Sequence, residues 1–194
     1  LRDSDAADEL FQELALRIVR GDFHRADPER GRFRDLLKTA LFHLIVDHQR
    51  RGKRQPQPLA NEPEAPCPSP AKAEAQFLNI WRAELLARAW DALAELERQT
   101  GQPHHTVLRF RVDHPDLRSP EMADQLSAQL GRPVSGEWVR KRLFLAREKF
   151  TDYLLEEVAQ SLADPSLDAV ELELIDLGLL DRCRSALARR RERS

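Results

Sequence analysis

Cysteine, glycine and aromatic residues are all scarce in this chain. There are two cysteines in 194 residues, Cys67 and Cys183, and they show no metal-ligand spacing. Two lone thiols suit a reducing cytoplasm. The seven glycines form no phosphate-binding loop. No nucleophile elbow is present, and no pair of acids is spaced for proton transfer. The sequence therefore predicts no enzyme activity, no cofactor and no metal. Aromatics make up only 6% of residues, so a core has to be built from Leu, Ala and Val. No apolar run approaches a membrane span and no signal peptide is visible. There is no β signal and no internal repeat. Met122 is the only methionine and the chain opens at Leu1, which reads as a fragment that has lost its N-terminal part.

Charge is abundant, at 33% of residues, yet the net charge is only −2. Bulk charge therefore does not point to nucleic acid, and any such case rests on local clustering. Basic runs occur at Arg50–Arg54, Arg140–Arg142 and Arg189–Arg193, while acids gather in 3–13 and 164–181.

The periodicity predicts an all-α protein of two helical domains joined by a Pro-rich linker, the second containing a helix-turn-helix. In a first helix, 5–20, Leu10, Phe11, Leu14, Ile18 and Val19 recur at helical steps as the buried stripe, and Gly21 ends it. Asp27-Pro28 and Gly31 mark a loop. In a second helix, 32–51, Phe33, Leu36, Leu37, Ala40, Leu41, Leu44 and Ile45 form a wide apolar face. Six prolines fall between 52 and 73, a stretch that cannot bury a core and that spans roughly 60 Å at about 3 Å per residue. A long helix over 75–99 carries Trp81 and Trp90, and a short one follows at 104–113. Ser119-Pro120-Glu121 opens another, with Ser119 as cap, and it closes on Gly131. Ser135 caps a helix running to about Leu162. Two last helices, 166–177 and 179–190, meet at Gly178.

Residues 119–150 carry the clearest functional pattern. A capped helix, a turn with glycine and a second capped helix with basic residues in its first turns make a helix-turn-helix pattern. Val139, Leu143, Ala146 and Phe150 form the inward stripe. Arg140, Lys141, Phe144 and Arg147 lie off it, where they can reach phosphates or guanine edges. The pattern alone equally fits an amphipathic helix with a solvated basic face. His104, His105, Asp113, His114 and Asp116 look superficially like metal ligands but lack any ligand repeat, so a structural or solvent-facing role is expected.

The string VRKRLFLAREKF resembles the region-four recognition helix of RNA polymerase sigma factors of the extracytoplasmic-function type, in the sigma-70 superfamily. Val139, Arg140, Arg142, Leu143, Ala146, Arg147 and Phe150 match that pattern, and Leu145 departs where a basic residue is usual. The helix before it has four extra residues ahead of its glycine, which predicts a displaced turn. DELFQE, at 8–13, resembles the segment by which region two contacts core polymerase. The resemblance implies that Glu9, Gln12 and Glu13 bind the polymerase, with Glu9 in place of Asp. DPERGRFRDLLKTALFHLIVDHQRR resembles the region-two helix that melts the minus-ten element, with Leu36 replacing Trp and His43 replacing Asn. It implies that Lys38, His43, Arg50 and Arg51 face DNA.

Taken together, the resemblance implies sigma region two over 1–52, a linker over 53–74 and region four over 75–163, with 164–194 as a helical extension outside the family's common core. It implies a non-enzymatic, cytoplasmic transcription initiation factor whose partners are core RNA polymerase, promoter DNA and, through a further surface, an anti-sigma factor, with no membrane contact. Two promoter elements about two DNA turns apart span roughly 70 Å, a distance such a linker bridges. Two other readings stay open: a helix-turn-helix regulator that does not act through polymerase, and a helical protein–protein adaptor.

Overall fold

The computed structural model describes residues 2–21, 33–54 and 70–193. Among these every regular element is an α-helix: α1 (Arg2–Arg20), α2 (Phe33–Arg54), α3 (Pro70–Thr100), α4 (His104–Asp113), α5 (Ser119–Leu130), α6 (Gly136–Gln160), α7 (Leu167–Asp176) and α8 (Leu180–Arg191). The all-α expectation holds there. No described helix is long and apolar enough to cross a membrane. The Asp27-Pro28 to Gly31 motif and most of the Pro-rich stretch lie outside the described residues. By packing, the chain divides into two compact units, Leu1–Leu78 with Ser161–Asp164, and Asn79–Gln160 with Pro165–Ser194. The division falls within α3, which starts at Pro70 rather than at the expected residue 75.

In the first unit α1 packs on α2. The predicted α1 stripe is buried only in part. Leu14 is covered, whereas Phe11, Ile18 and Val19 stand exposed. By helical count Val19 projects about 140° from Leu14, but Phe11 and Ile18 lie within about 60° of it, so their exposure marks where the cover given by α2 ends. On α2, Leu44 is fully buried and Arg34 is buried beside the helix start, while Phe33 and Ile45 lie at the exposed edge of the apolar face.

The second unit has a continuous core. Leu93 of α3, Val107 and Leu108 of α4, Met122, Ala123 and Leu126 of α5, and Val139, Leu143 and Ala146 of α6 form one cluster. Trp90 packs half-buried against it, its ring 4.8 Å from Phe150 and edge-on to His105. Glu97 of α3 accepts the Thr106 backbone N–H at 2.9 Å and so caps the first turn of α4. These contacts fix α4 and α5 as the platform on which α6 rests.

The α5–α6 connection folds back on itself. Arg118, not Ser119, occupies the cap of α5, and the Glu121 carboxylate reaches back to accept its N–H at 2.6 Å. The boundary moves by one residue because Glu121 satisfies the donor that a serine cap would leave open. At the far end Gly131 adopts φ 64°, and the Arg132 N–H bonds the Ser127 carbonyl at 3.2 Å. The Ser127 hydroxyl donates to the Ala123 carbonyl (2.7 Å) and accepts the Val134 N–H (2.9 Å). The connector thus runs back along α5, and Gly136 arrives beside its first turn. A Cβ at Gly136 would lie 3.1 Å from the Pro120 backbone nitrogen and 3.3 Å from Pro120 Cα. Ser135 then caps α6, accepting the Trp138 N–H at 3.1 Å.

α7 and α8 pair with each other and pack on the second half of α6. Ser166 caps α7 through the Ala169 N–H. Leu154, Leu155 and Val158 of α6, and Leu174, Leu177, Ala186 and Leu187 of the extension, are buried. Cys183 is buried too, and burial pushes its thiol up to about 11.

Two predictions follow from this packing. Gly136→Val forces the α6 start off the α5 backbone, and chemical denaturation should show a loss of about 1–3 kcal/mol. In a Cys67→Ser background, the Cys183 thiol should resist an aromatic disulfide reagent at pH 8 until denaturant is added, since roughly one thiol in a thousand is ionised there. Prompt labelling without denaturant would contradict the burial.

Candidate nucleic-acid interface

Helix α6 carries the most distinctive polar surface of the second unit. Its first half buries Val139, Leu143 and Ala146. Arg140, Lys141, Phe144 and Arg147 all lie on the opposite, exposed side, with Phe144 61% exposed. The structure therefore brings the four sequence-predicted residues onto one free face. Among the described residues, Arg140, Lys141 and Arg147 make no ion pair. Their neighbours differ: Arg88 pairs with Glu84, Arg98 with Glu95, Arg109 with Asp113, Arg184 with Asp181, Arg189 with Glu148 and Asp152, and Arg191 with Asp168 and Glu171. Glu137 lies one turn before Arg140 and Lys141 on the same exposed side, but none of the three cations is bound to a carboxylate, so each stays open to an external anion. An exposed phenylalanine among those cations adds a flat apolar surface suited to a thymine methyl or a base.

The other side of the same helix segment is tied down. The Arg142 guanidinium donates to the Gln102 side-chain oxygen and approaches His104 Nε2 at 3.4 Å. It also lies 5.4 Å from the Trp138 ring centre, and the Arg132 guanidinium lies 5.3 Å from the same ring. Arg142 thus holds α6 to the loop before α4. Among the described residues, His104 Nδ1 is buried without a hydrogen-bond partner. Burial first, and the Arg142 charge second, hold the His104 pKa below its usual value.

The sequence showed the free face but not this tether. The Trp138–Arg142 spacing of four is the one local signal for it. Gln102 and His104 lie about 40 residues away in sequence, and nothing local marks them. Ser127, which pins the fold-back, is equally silent at the sequence level. The remaining superficial metal candidates diverge: His105 meets Trp90, and His114 stacks on Phe110 with ring centres 4.5 Å apart. Among the described residues no group of three or more His, Cys, Asp or Glu side chains converges on a point that could hold a metal.

The first unit treats its predicted residues differently. Glu9 and Gln12 are exposed on α1, while Glu13 is half-buried and paired with Arg17 at 2.8 Å. On α2, His43 and Arg50 are exposed. Lys38 bonds the Glu74 carboxylate at 2.7 Å, which raises its pKa and lowers that of Glu74. Lys38 is therefore engaged within the chain. The Arg51 side chain lies outside the described residues.

The His104 shift has a definite sign. A depressed folded-state pKa means that the unfolded chain takes up a proton first, near pH 6.5, and stability then falls as pH drops through the folded value. Melting temperature measured from pH 8 to pH 5 should fall more steeply for the native chain than for His104→Gln, which cannot be protonated. Parallel curves would show that His104 is not held neutral.

No protein-family model, no curated protein and no solved structure matches the chain.

Proposed function

We propose that this protein is a transcription initiation factor of the sigma type, which binds core RNA polymerase and places it on promoter DNA. In this reading α5, its fold-back connector and α6 act as a helix-turn-helix, and the chain works in the cytoplasm as two helical domains. The observation that carries the reading is the free basic face of α6, with Arg140, Lys141 and Arg147 unpaired around Phe144. The mechanism is binding, not catalysis. The first turns of α6 enter the major groove, where Arg140 and Lys141 reach phosphates or guanine edges and Phe144 meets the base surface. Arg142, held by Gln102 and His104, is a positioning residue that fixes the rotation of the helix. Glu9 and Gln12 on the exposed side of α1 supply an acidic and amide surface for basic residues of the polymerase. His43 and Arg50 of α2 meet the melted strand.

A second reading, a DNA-binding regulator independent of polymerase, is favoured by one observation. Two residues assigned to region two are already engaged within the chain: Lys38 by Glu74 and Glu13 by Arg17. Run-off transcription with purified core polymerase on fragmented genomic DNA of the host separates the two. The sigma reading predicts discrete new transcripts. It predicts that Arg140→Ala with Lys141→Ala cuts their yield at least about tenfold, the scale of one or two lost base contacts. It also predicts that Glu9→Lys abolishes transcripts while leaving duplex binding intact. Specific duplex binding without any transcript would establish the regulator instead.

A further inference from the structure

We propose that Glu137 is a specificity residue of the same interface, a carboxylate that accepts a hydrogen bond from the exocyclic amino group of a cytosine in the major groove. This rests on the DNA reading of α6 given above. The first observation is position. Glu137 is exposed in the first turn of α6. At 3.6 residues per turn it projects about 20° from Phe144, about 40° from Lys141 and about 60° from Arg140, but about 160° from the buried Val139. It therefore stands in the middle of the free face. It also lies in the turns that a recognition helix presents to base edges.

The second observation is that Glu137 has no partner within the fold. Among the described residues it makes no ion pair and no hydrogen bond. Glu121, in the first turn of α5, accepts the Arg118 N–H at 2.6 Å. On α6 the corresponding third position is Trp138, whose N–H goes to the Ser135 hydroxyl, so Glu137 closes no capping box. The next acid on this side, Glu148, is bound by Arg189 at 3.0 Å. The helix dipole favours an acid anywhere in the first turn and does not select this side.

The chemistry of the groove then selects the base. A free carboxylate on a face that meets DNA weakens the attraction for phosphates at every sequence. It recovers that loss only where a base donates to it, since an ionised carboxylate can only accept. Guanine offers the acceptors N7 and O6, and thymine offers O4, so both oppose it. Adenine offers its N6 amino group beside the acceptor N7. Cytosine offers its N4 amino group with no acceptor of its own beside it. Glu137 thus gives α6 a preference that Arg140 and Lys141, whose charges favour guanine, do not supply.

The test uses the full chain, alone and with core polymerase, to select duplexes from a random-sequence pool, which are then sequenced. Glu137→Ala and Glu137→Gln, both checked for native melting, are compared with the native chain. The native chain should favour cytosine about tenfold at one position of its motif. Glu137→Ala should make that position degenerate and bind the unselected pool more tightly. Glu137→Gln should turn the preference there towards adenine, because an amide pairs with both N6 and N7. One motif shared by the native chain and both variants, with selection lost in Arg140→Ala with Lys141→Ala, overturns this inference and leaves the α6 reading standing. A Glu137-dependent preference for a base other than cytosine also overturns it. A native chain that selects no duplex in either state overturns both.

Discussion

Helix α6 has to bury two different sides along its 25 residues. Its first half turns Val139, Leu143 and Ala146 to α4 and α5, and its second half turns Leu154, Leu155 and Val158 to the extension. Each burial is a few apolar side chains, worth about 1.5–3 kcal/mol apiece when complete. Because the two buried sides differ in direction, α4 and α5 meet α6 on one side and α7 and α8 on another. The same constraint leaves one patch uncovered, three to four turns long and bounded on its far end by α8. That this patch carries cations without internal partners follows from the ion pairing elsewhere. Arg142 is held by Gln102 and His104 instead, and on the later turns Arg189 of α8 takes up Glu148 and Asp152.

The chain as a whole is slightly acidic, so an interaction with a polyanion depends on where charge is kept apart rather than on its sum. Two features keep it apart. Arg189 takes up Glu148 and Asp152 on the turns that follow the free face. The tether of Arg142 to Gln102 and His104 draws one cation out of solvent and fixes the helix's rotation. Exposed ion pairs contribute little stability on their own. Their effect here is to decide which charges remain available.

Much of this was legible in sequence because it is local. Helical period, Gly131, Ser135 as a cap and the inward 139–143–146–150 spacing all act within a few residues, and they marked α5, α6 and the exposed basic set. What was not legible depends on tertiary packing. The α1 stripe reads in sequence as wholly buried, but a single partner helix covers it only in part, and Phe11, Ile18 and Val19 remain outside. The Lys38–Glu74 pair joins residues 36 apart across the Pro-rich stretch. Arg142 was legible as a pattern match but not as a tether, because its partners precede α4. The pairs of Arg189 with Glu148 and Asp152 were invisible for the same reason, since they join residues about 40 apart.

The central claim is that the free face of α6 meets base pairs, and a photo-crosslink reads it most directly. A benzophenone amino acid at position 144 is compared with one at Val112, which is similarly exposed on α4. Each chain is irradiated with core polymerase on a DNA fragment it transcribes. The account predicts a crosslink to duplex DNA upstream of the start site from position 144 and none from 112. A crosslink from 144 to protein alone would contradict it.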